Sequence, residues 1–170
     1  NRPLSDTRQG EYVELFYRSE SRTISLDGIR FDSGISFDFQ PDAVIEPGTY
    51  LVVARDPAFL RTLHASHAEN IVGPEEASAE ELENFGTLAN SGERLRLVDR
   101  LGNVVDEVRF FDEGEWDQIA DRNGGSLELV DPMQDNSVAL AWRASEEEVP
   151  EWTHLEWDVC LIYPSPSPRD

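Results

Sequence analysis

The sequence has 170 residues, 39% of them hydrophobic, which is enough to fill one core and too short for two full domains. Its 35 acidic residues outnumber 14 basic ones, all arginine, and the net charge of -21 repels phosphate backbones, which argues against nucleic acid as a partner. No apolar run approaches the roughly 20 residues of a transmembrane helix, which argues against membrane insertion.

The chain begins with polar, turn-prone residues and no Met, so we interpret it as part of a longer protein. The first predicted strand is Glu11–Tyr17, in which Val13, Leu15 and Tyr17 fall on one face. A single cysteine, Cys160, excludes an internal disulfide.

Three short strands are predicted between Ile24 and Phe39, where apolar and polar residues alternate between Asp, Gly and Ser turns. Pro47-Gly48 is typical of a type II turn, and the run that follows, Tyr50–Ala54, is apolar on both faces. A strand with two apolar faces is expected in the middle of a fold.

One short helix is predicted after this strand. Asp56 is a suitable N-cap, Pro57 suits the first helical position, and the apolar side ends near His64. Between Glu75 and Glu83 five of nine residues are Glu, and we expect a solvated loop there, with a frayed helix as the alternative.

The most informative stretch is Asn90–Phe110. Leu95 and Leu97 alternate with arginines, Asp99–Asn103 supply turn chemistry, and Val104–Phe110 resume extended character, which together predict a β-hairpin. Trp116 follows in a polar loop and could cover one end of the core. A further strand, Leu127–Val130, and the segment Trp142–Ser145 close the pattern.

Several of these motifs, in this order and spacing, resemble the lamin tail domain family. The motifs are Glu11–Leu15, Glu46–Asp56, Asn90–Leu95, Gly102–Asp106, Gly124–Leu129, Asp131-Pro132 and Trp142–Ser145. The resemblance implies an immunoglobulin-like β-sandwich with one short helix, and also a strand before Glu11 that this sequence begins too late to contain. It implies a noncatalytic interaction module, of the kind found in large secreted or cell-surface bacterial proteins beside enzymatic or sugar-binding domains.

We expect residues 1–145 to form the sandwich and residues 146–170 to follow it as a separate segment. Glu146–Glu148 and Pro150 mark a linker. Beyond the linker, apolar residues alternate from Thr153 to Leu161 and predict a strand. We favour the interpretation that this strand is the first strand of a truncated following domain. The alternative is that the strand is donated back to the sandwich.

Few residues stand in a pattern that is typical of metal ligands or catalytic nucleophiles. His64 and His67 could form half of a zinc site, although structural roles are commoner for such a pair. His154 is expected at the surface and Cys160 as a buried structural thiol. Asp106 falls on the core phase of its strand, so we expect its carboxylate to be hydrogen-bonded to backbone, paired with Arg, or turned to solvent by a bulge.

Calcium is the one cofactor that the acidic composition makes worth considering. The candidate oxygen clusters carry no EF-hand or other regular calcium spacing, and with so many acidic residues such clusters arise by chance. We therefore predict no cofactor, with Ca²⁺ kept as an open alternative. The candidate ligands are Asp112, Glu113, Glu115, Asp131, Asp135 and Asn136.

No hydrolase elbow, phosphate-binding loop, zinc-protease or dinucleotide-binding signature is present, so we predict no catalytic, cofactor-binding or metal residues and expect a non-enzyme. The expected partners are a protein or a polysaccharide, together with neighbouring domains of the same chain, outside the cytoplasm. The alternatives are a spacer without ligand and a fragment of a multidomain enzyme. An exposed Trp116 or Trp152 would favour carbohydrate binding, because sugar rings stack on flat aromatic faces.

Overall fold

A computed structural model describes residues 10–74, 78–89, 92–111, 114–116 and 126–144, and the backbone of 160–163. Strands dominate these ranges and only two short α-helices occur in them, so the predicted all-β class is confirmed. Neither helix in the described ranges is long and apolar enough to cross a membrane. The strands are β1 (Tyr12–Tyr17), β2 (Ile24–Ser25), β3 (Arg30–Ser33), β4 (Phe37–Asp38), β5 (Val44–Ile45), β6 (Tyr50–Ala54), β7 (Ile71–Val72), β8 (Gly92–Val98), β9 (Val104–Phe111), β10 (Leu127–Leu129), β11 (Trp142–Ala144) and β12 (Cys160–Tyr163).

Two four-stranded sheets organise the chain, with strand orders β12-β1-β6-β7 and β4-β3-β8-β9. The pairs β2–β5 and β10–β11 form two smaller ladders. Buried side chains of both large sheets meet in one cluster, so the two sheets share a core. Its members from the two sheets include Val13, Leu15, Tyr17, Leu51, Val53, Phe31, Leu95, Leu97 and Val108.

The central position predicted for Tyr50–Ala54 is confirmed. β6 pairs antiparallel with β1 on one side and parallel with β7 on the other. Leu51 and Val53 contribute to the shared core, whereas Val52 and Ala54 join a second, smaller cluster on the opposite face. Both faces of this strand are therefore covered, as its uninterrupted apolar sequence requires.

The helix predicted after β6 is present as α1 (Pro57–Leu63). The Asp56 carboxylate accepts a hydrogen bond from the backbone N–H of Phe59 at 3.0 Å, and Pro57 lies in the first turn. Leu60 packs into the smaller cluster on the outer face of β6. The predicted N-cap and the end of the helix before His64 are both confirmed.

The loop predicted for Glu75–Glu83 is wrong over its described part. Residues 79–85 form a second helix, α2 (Ala79–Phe85), and residues 75–77 lie outside the described ranges. Ser78 and Glu81 form a reciprocal capping box, each side chain accepting a backbone N–H of the other residue. Phe85 is 3% exposed and anchors the last turn in the core, so one cap and one buried ring hold this acidic helix.

The predicted hairpin is confirmed as β8 and β9, paired antiparallel. Asp99 closes its turn, because its carboxylate accepts from the backbone N–H groups of Leu101 and Asn103, each at 2.8 Å. The side-chain amide of Asn103 donates to the same carboxylate, and these hydrogen bonds lower the pKa of Asp99. Gly102 has a φ of 82°, which fits the turn residue expected at this point.

The segment beyond the linker also contains a strand. β12 pairs in parallel with β1, with Glu14 opposite Cys160 and Tyr17 opposite Tyr163. This pairing corresponds to the second of the two expected placements, a strand returned to the sheet. The division of the chain at residue 145 stays a prediction.

Candidate functional site

The most distinctive surface in the described residues is the outward side of β4, β3, β8 and β9, which we call the arginine face. Phe31, Leu95, Leu97 and Val108 point into the core, so the residues that alternate with them point outward. Four arginines and three carboxylates lie on this outward side. They are Arg30, Arg94, Arg96, Arg109, Asp32, Asp38 and Glu107.

Two cross-strand ion pairs order the centre of the arginine face. Arg96 donates two hydrogen bonds to Asp32, from Nε to Oδ1 at 2.7 Å and from Nη2 to Oδ2 at 3.0 Å. Arg94 pairs with Glu107 on the neighbouring strand. A two-point contact fixes the plane of the Arg96 guanidinium, which leaves its remaining N–H groups in defined directions.

The Arg96–Asp32 pair gives the first testable prediction. Its hydrogen bonds lower the pKa of Asp32 below the ordinary value of 3.8. A carboxyl whose pKa is lowered by folding stabilises the protein above its unfolded pKa, and the effect is lost as pH falls through the folded pKa. We expect Asp32→Asn to lower the urea midpoint slightly near pH 7, and we expect this difference from the parent protein to shrink as the pH falls below 3.8.

The exposed carboxylate of Asp38 supplies the matched control for that prediction. Asp38 is on the same face and makes no ion pair with an arginine within the described ranges. Asp38→Asn should therefore change the urea midpoint less than Asp32→Asn at pH 7. If the urea midpoints of Asp32→Asn and the parent protein differed by the same amount at pH 7 and at pH 2, the lowered pKa of Asp32 would be contradicted.

Arg109, at the edge of the arginine face, is not paired with a carboxylate among the described residues. Arg109 lies directly opposite Arg94 in the β8–β9 ladder. Like charges in that position repel each other, and the Glu107 carboxylate is engaged by Arg94. The Arg109 guanidinium lies 5.0 Å from the centre of the Phe111 ring, and within the described ranges no carboxylate is within ion-pair distance of it.

This arrangement places hydrogen-bond donors and acceptors side by side. Guanidinium groups donate hydrogen bonds in a fixed fork, and carboxylates beside them accept. Phe111, 42% exposed, adds an aromatic surface at the edge. The arginine face therefore combines hydrogen-bond donors, hydrogen-bond acceptors and one aromatic ring on a single surface.

Trp116 does not form the exposed aromatic surface that would have favoured carbohydrate binding. Trp116 is 8% exposed and belongs to the core cluster, with its ring 6.2 Å from that of Trp142. The expectation that Trp116 covers one end of the core is confirmed. Trp152 and His154 lie outside the described residues.

Asp106 has the backbone hydrogen bond that was expected of it. Its carboxylate accepts from the N–H of Glu107 at 2.8 Å and also from the side-chain amide of Asn136 at 3.0 Å. The backbone carbonyl of Asn136 in turn accepts the indole N–H of Trp142 at 2.8 Å. Asp106 therefore ties the β8–β9 hairpin to the segment before β11.

The candidate calcium ligands between β10 and β11 are used in local turns. Asp131 accepts from the backbone N–H of Met133, and Asp135 accepts from Ser137, which lowers the pKa of Asp135. Glu115 is exposed, and Asp112 and Glu113 lie outside the described ranges. Within the part of the chain that the structure describes, no three His, Cys, Asp or Glu side chains group as a metal site.

The two histidines end α1 and begin the turn after it. His64 is the C-cap, and partial burial, with His67 nearby, lowers its pKa. His67 is exposed. Only the backbone of Cys160 is described, so the expected buried thiol stays a prediction.

The sequence showed the alternation of Arg94 and Arg96 without showing what they face. Asp32 is 64 residues from Arg96 along the chain, and Glu107 is 13 from Arg94. A regular hairpin continued from the pair Val98–Val104 would place Val108 opposite Arg94. The register shift between Leu97 and Val98 places Arg109 there instead, and the turn sequence does not indicate this shift. No local signal identifies β3 as the neighbour on the other side.

Comparison with known proteins does not add to this description. No family model matches the sequence, and neither the curated proteins nor the solved structures provide a match.

Proposed function

We propose that this chain is a noncatalytic interaction module that binds a protein or polysaccharide partner through the arginine face. We further propose that it is an immunoglobulin-like sandwich of the lamin tail type, carried by a larger secreted or cell-surface bacterial protein. The ordered motifs from Glu11 to Ser145 support the family, and two large sheets around a shared core agree with it.

The observation that carries the binding proposal is the concentration of arginine on one sheet face. Four of the chain's 14 arginines lie there, beside only three carboxylates, while the whole chain carries 35 acidic residues. Within the described ranges, the face is therefore a region where an anionic or polar partner meets less repulsion than the acidic composition of the chain would suggest. Arg and aromatic side chains are also the types enriched at interaction surfaces.

The test is a binding panel measured by isothermal titration with the full chain. The panel contains neutral and anionic polysaccharides and an acidic and a basic protein. The face variant is Arg94→Glu combined with Arg96→Glu. The control is Arg61→Glu. Arg61 is an exposed arginine on α1, and its Nη2 donates a hydrogen bond to the Ile71 carbonyl.

We expect at least one member of the panel to bind, and we expect the face variant to weaken that binding at least tenfold. The control variant should change it less than twofold. Absence of binding across the panel would favour a spacer without ligand. Binding that the face variant leaves unchanged would place the contact surface elsewhere.

A further inference from the structure

We infer that the ligand of the arginine face is an acidic polysaccharide, with Arg109 as the residue that contacts its carboxylate or sulfate groups. This inference rests on the proposed function and names the ligand class.

The first argument is the charge pattern of the face. Two of the four arginines are engaged by carboxylates, Arg94 by Glu107 and Arg96 by Asp32, whereas Arg109 has no ion pair among the residues described. An anionic group placed at Arg109 would also relieve its repulsion with Arg94 across the ladder. Arg30 also makes no ion pair among the described residues, but its guanidinium donates to the backbone carbonyl of Asp99. Arg109 is therefore the one arginine of the face whose guanidinium has neither an ion pair nor a hydrogen bond within the described ranges, and a single such cation suits a ligand with widely spaced negative charges.

The second argument separates a polysaccharide from an acidic peptide or another dense polyanion. Asp32, Asp38 and Glu107 lie among the arginines and would repel closely spaced negative charges. Sugar hydroxyls both donate and accept, so they can use the carboxylates as acceptors and the guanidinium groups as donors. The interleaving of Arg with Asp and Glu therefore favours the sugar polymer.

The third argument is the aromatic side chain beside Arg109. Phe111 is 42% exposed, and the Arg109 guanidinium lies 5.0 Å from the centre of its ring. The apolar side of a sugar ring can pack on such a surface while its charged group reaches the guanidinium. An anion-binding group and an apolar surface thus lie side by side at the end of β9.

The experiment titrates the full chain with four polymers at 50 mM and 500 mM NaCl. They are hyaluronan, whose carboxylates are widely spaced; dextran sulfated at low density; neutral dextran; and poly-L-glutamate as the densely charged acidic peptide. The variants are Arg109→Gln, Arg109→Lys and Arg143→Gln. Arg143 is the matched control, because it is an exposed strand arginine of the β10–β11 ladder.

We expect hyaluronan or the sparsely sulfated dextran to bind at 50 mM NaCl, at least fivefold more weakly at 500 mM. Arg109→Gln should weaken this binding at least fivefold, Arg109→Lys should retain part of it, and Arg143→Gln should change it less than twofold. Which anionic polymer binds more tightly distinguishes a carboxylate-bearing ligand from a sulfated one.

Equal binding of neutral dextran would overturn this inference and leave the proposed function intact, as would equal loss in Arg109→Gln and Arg143→Gln. Poly-L-glutamate binding as tightly as the acidic polysaccharides would overturn the choice of ligand class. Failure of all four polymers would overturn the inference. The proposed function fails only if the acidic and the basic protein of its own binding panel also show no binding.

Discussion

Replacing Trp142 by Ala is expected to lower the free energy of unfolding by about 3–5 kcal/mol, a large part of the 5–15 kcal/mol typical of a domain. The side chain is 5% exposed and packs against Trp116 in the core. Its indole N–H also donates to the Asn136 carbonyl at 2.8 Å. The substitution therefore removes a large apolar volume and a buried hydrogen bond together.

Two further variants separate these contributions in urea unfolding followed by far-ultraviolet circular dichroism. Trp142→Phe keeps most of the volume and loses the donor, so it should cost about 1–3 kcal/mol. Leu140→Ala is the control, because Leu140 is 74% exposed and should change stability by less than about 0.5 kcal/mol. A Trp142→Ala protein as stable as Leu140→Ala would show that this end of the core is wrongly described.

Replacing Leu95 by Ala is expected to destabilise the protein by about 2.5–5 kcal/mol. Leu95 is fully buried in β8, at the centre of the core shared by the two large sheets. A Cβ placed on Gly34 would lie only 2.5 Å from Leu95 Cδ2, so the backbone at Gly34 approaches this side chain closely. A cavity left by the substitution can close only if the strands move.

The adjacent residue supplies the control, since Arg94 points to the opposite side of the same strand. Its pair with Glu107 is partly exposed, with side-chain exposures of 46% and 34%. Arg94→Ala should therefore cost no more than about 1 kcal/mol in the same urea titration. Equal losses for Leu95→Ala and Arg94→Ala would contradict the alternation of core and surface residues along β8.

Much of the fold follows from short-range patterns in the sequence. The alternation of Val13, Leu15 and Tyr17 predicts the buried face of β1, and each of them is at most 2% exposed. The cap Asp56 and the turn at Asp99 are equally local, because the residues that form them lie within a few positions of each other. Local chemistry of this kind is readable without knowledge of the tertiary structure.

The second helix was only the alternative to the favoured loop, although its signal is also local. Ser78 and Glu81 have the spacing of a capping box, yet the low apolar content of this stretch favoured a loop. The helix is stabilised by the burial of Phe85, which packs against Phe37 from another part of the chain. Burial depends on tertiary contacts, which a pattern of residues does not specify.

The same limit applies to the candidate site. Trp116 is buried because Trp142 packs against it, and these residues are 26 positions apart in the sequence. The arginine face arises from the pairing of β8 with both β3 and β9. The hairpin gives the second pairing from sequence, whereas the first joins segments more than 60 residues apart.

The most direct test of the account is to map the contact surface by nuclear magnetic resonance, using ¹⁵N-labelled full chain and hyaluronan. The account predicts that the largest chemical-shift changes, in backbone amides and arginine Nε–H groups, occur at Arg94, Arg96, Glu107 and Arg109. Resonances of α1 should stay in place. Changes concentrated outside the arginine face, or no changes at saturating polymer, would contradict it.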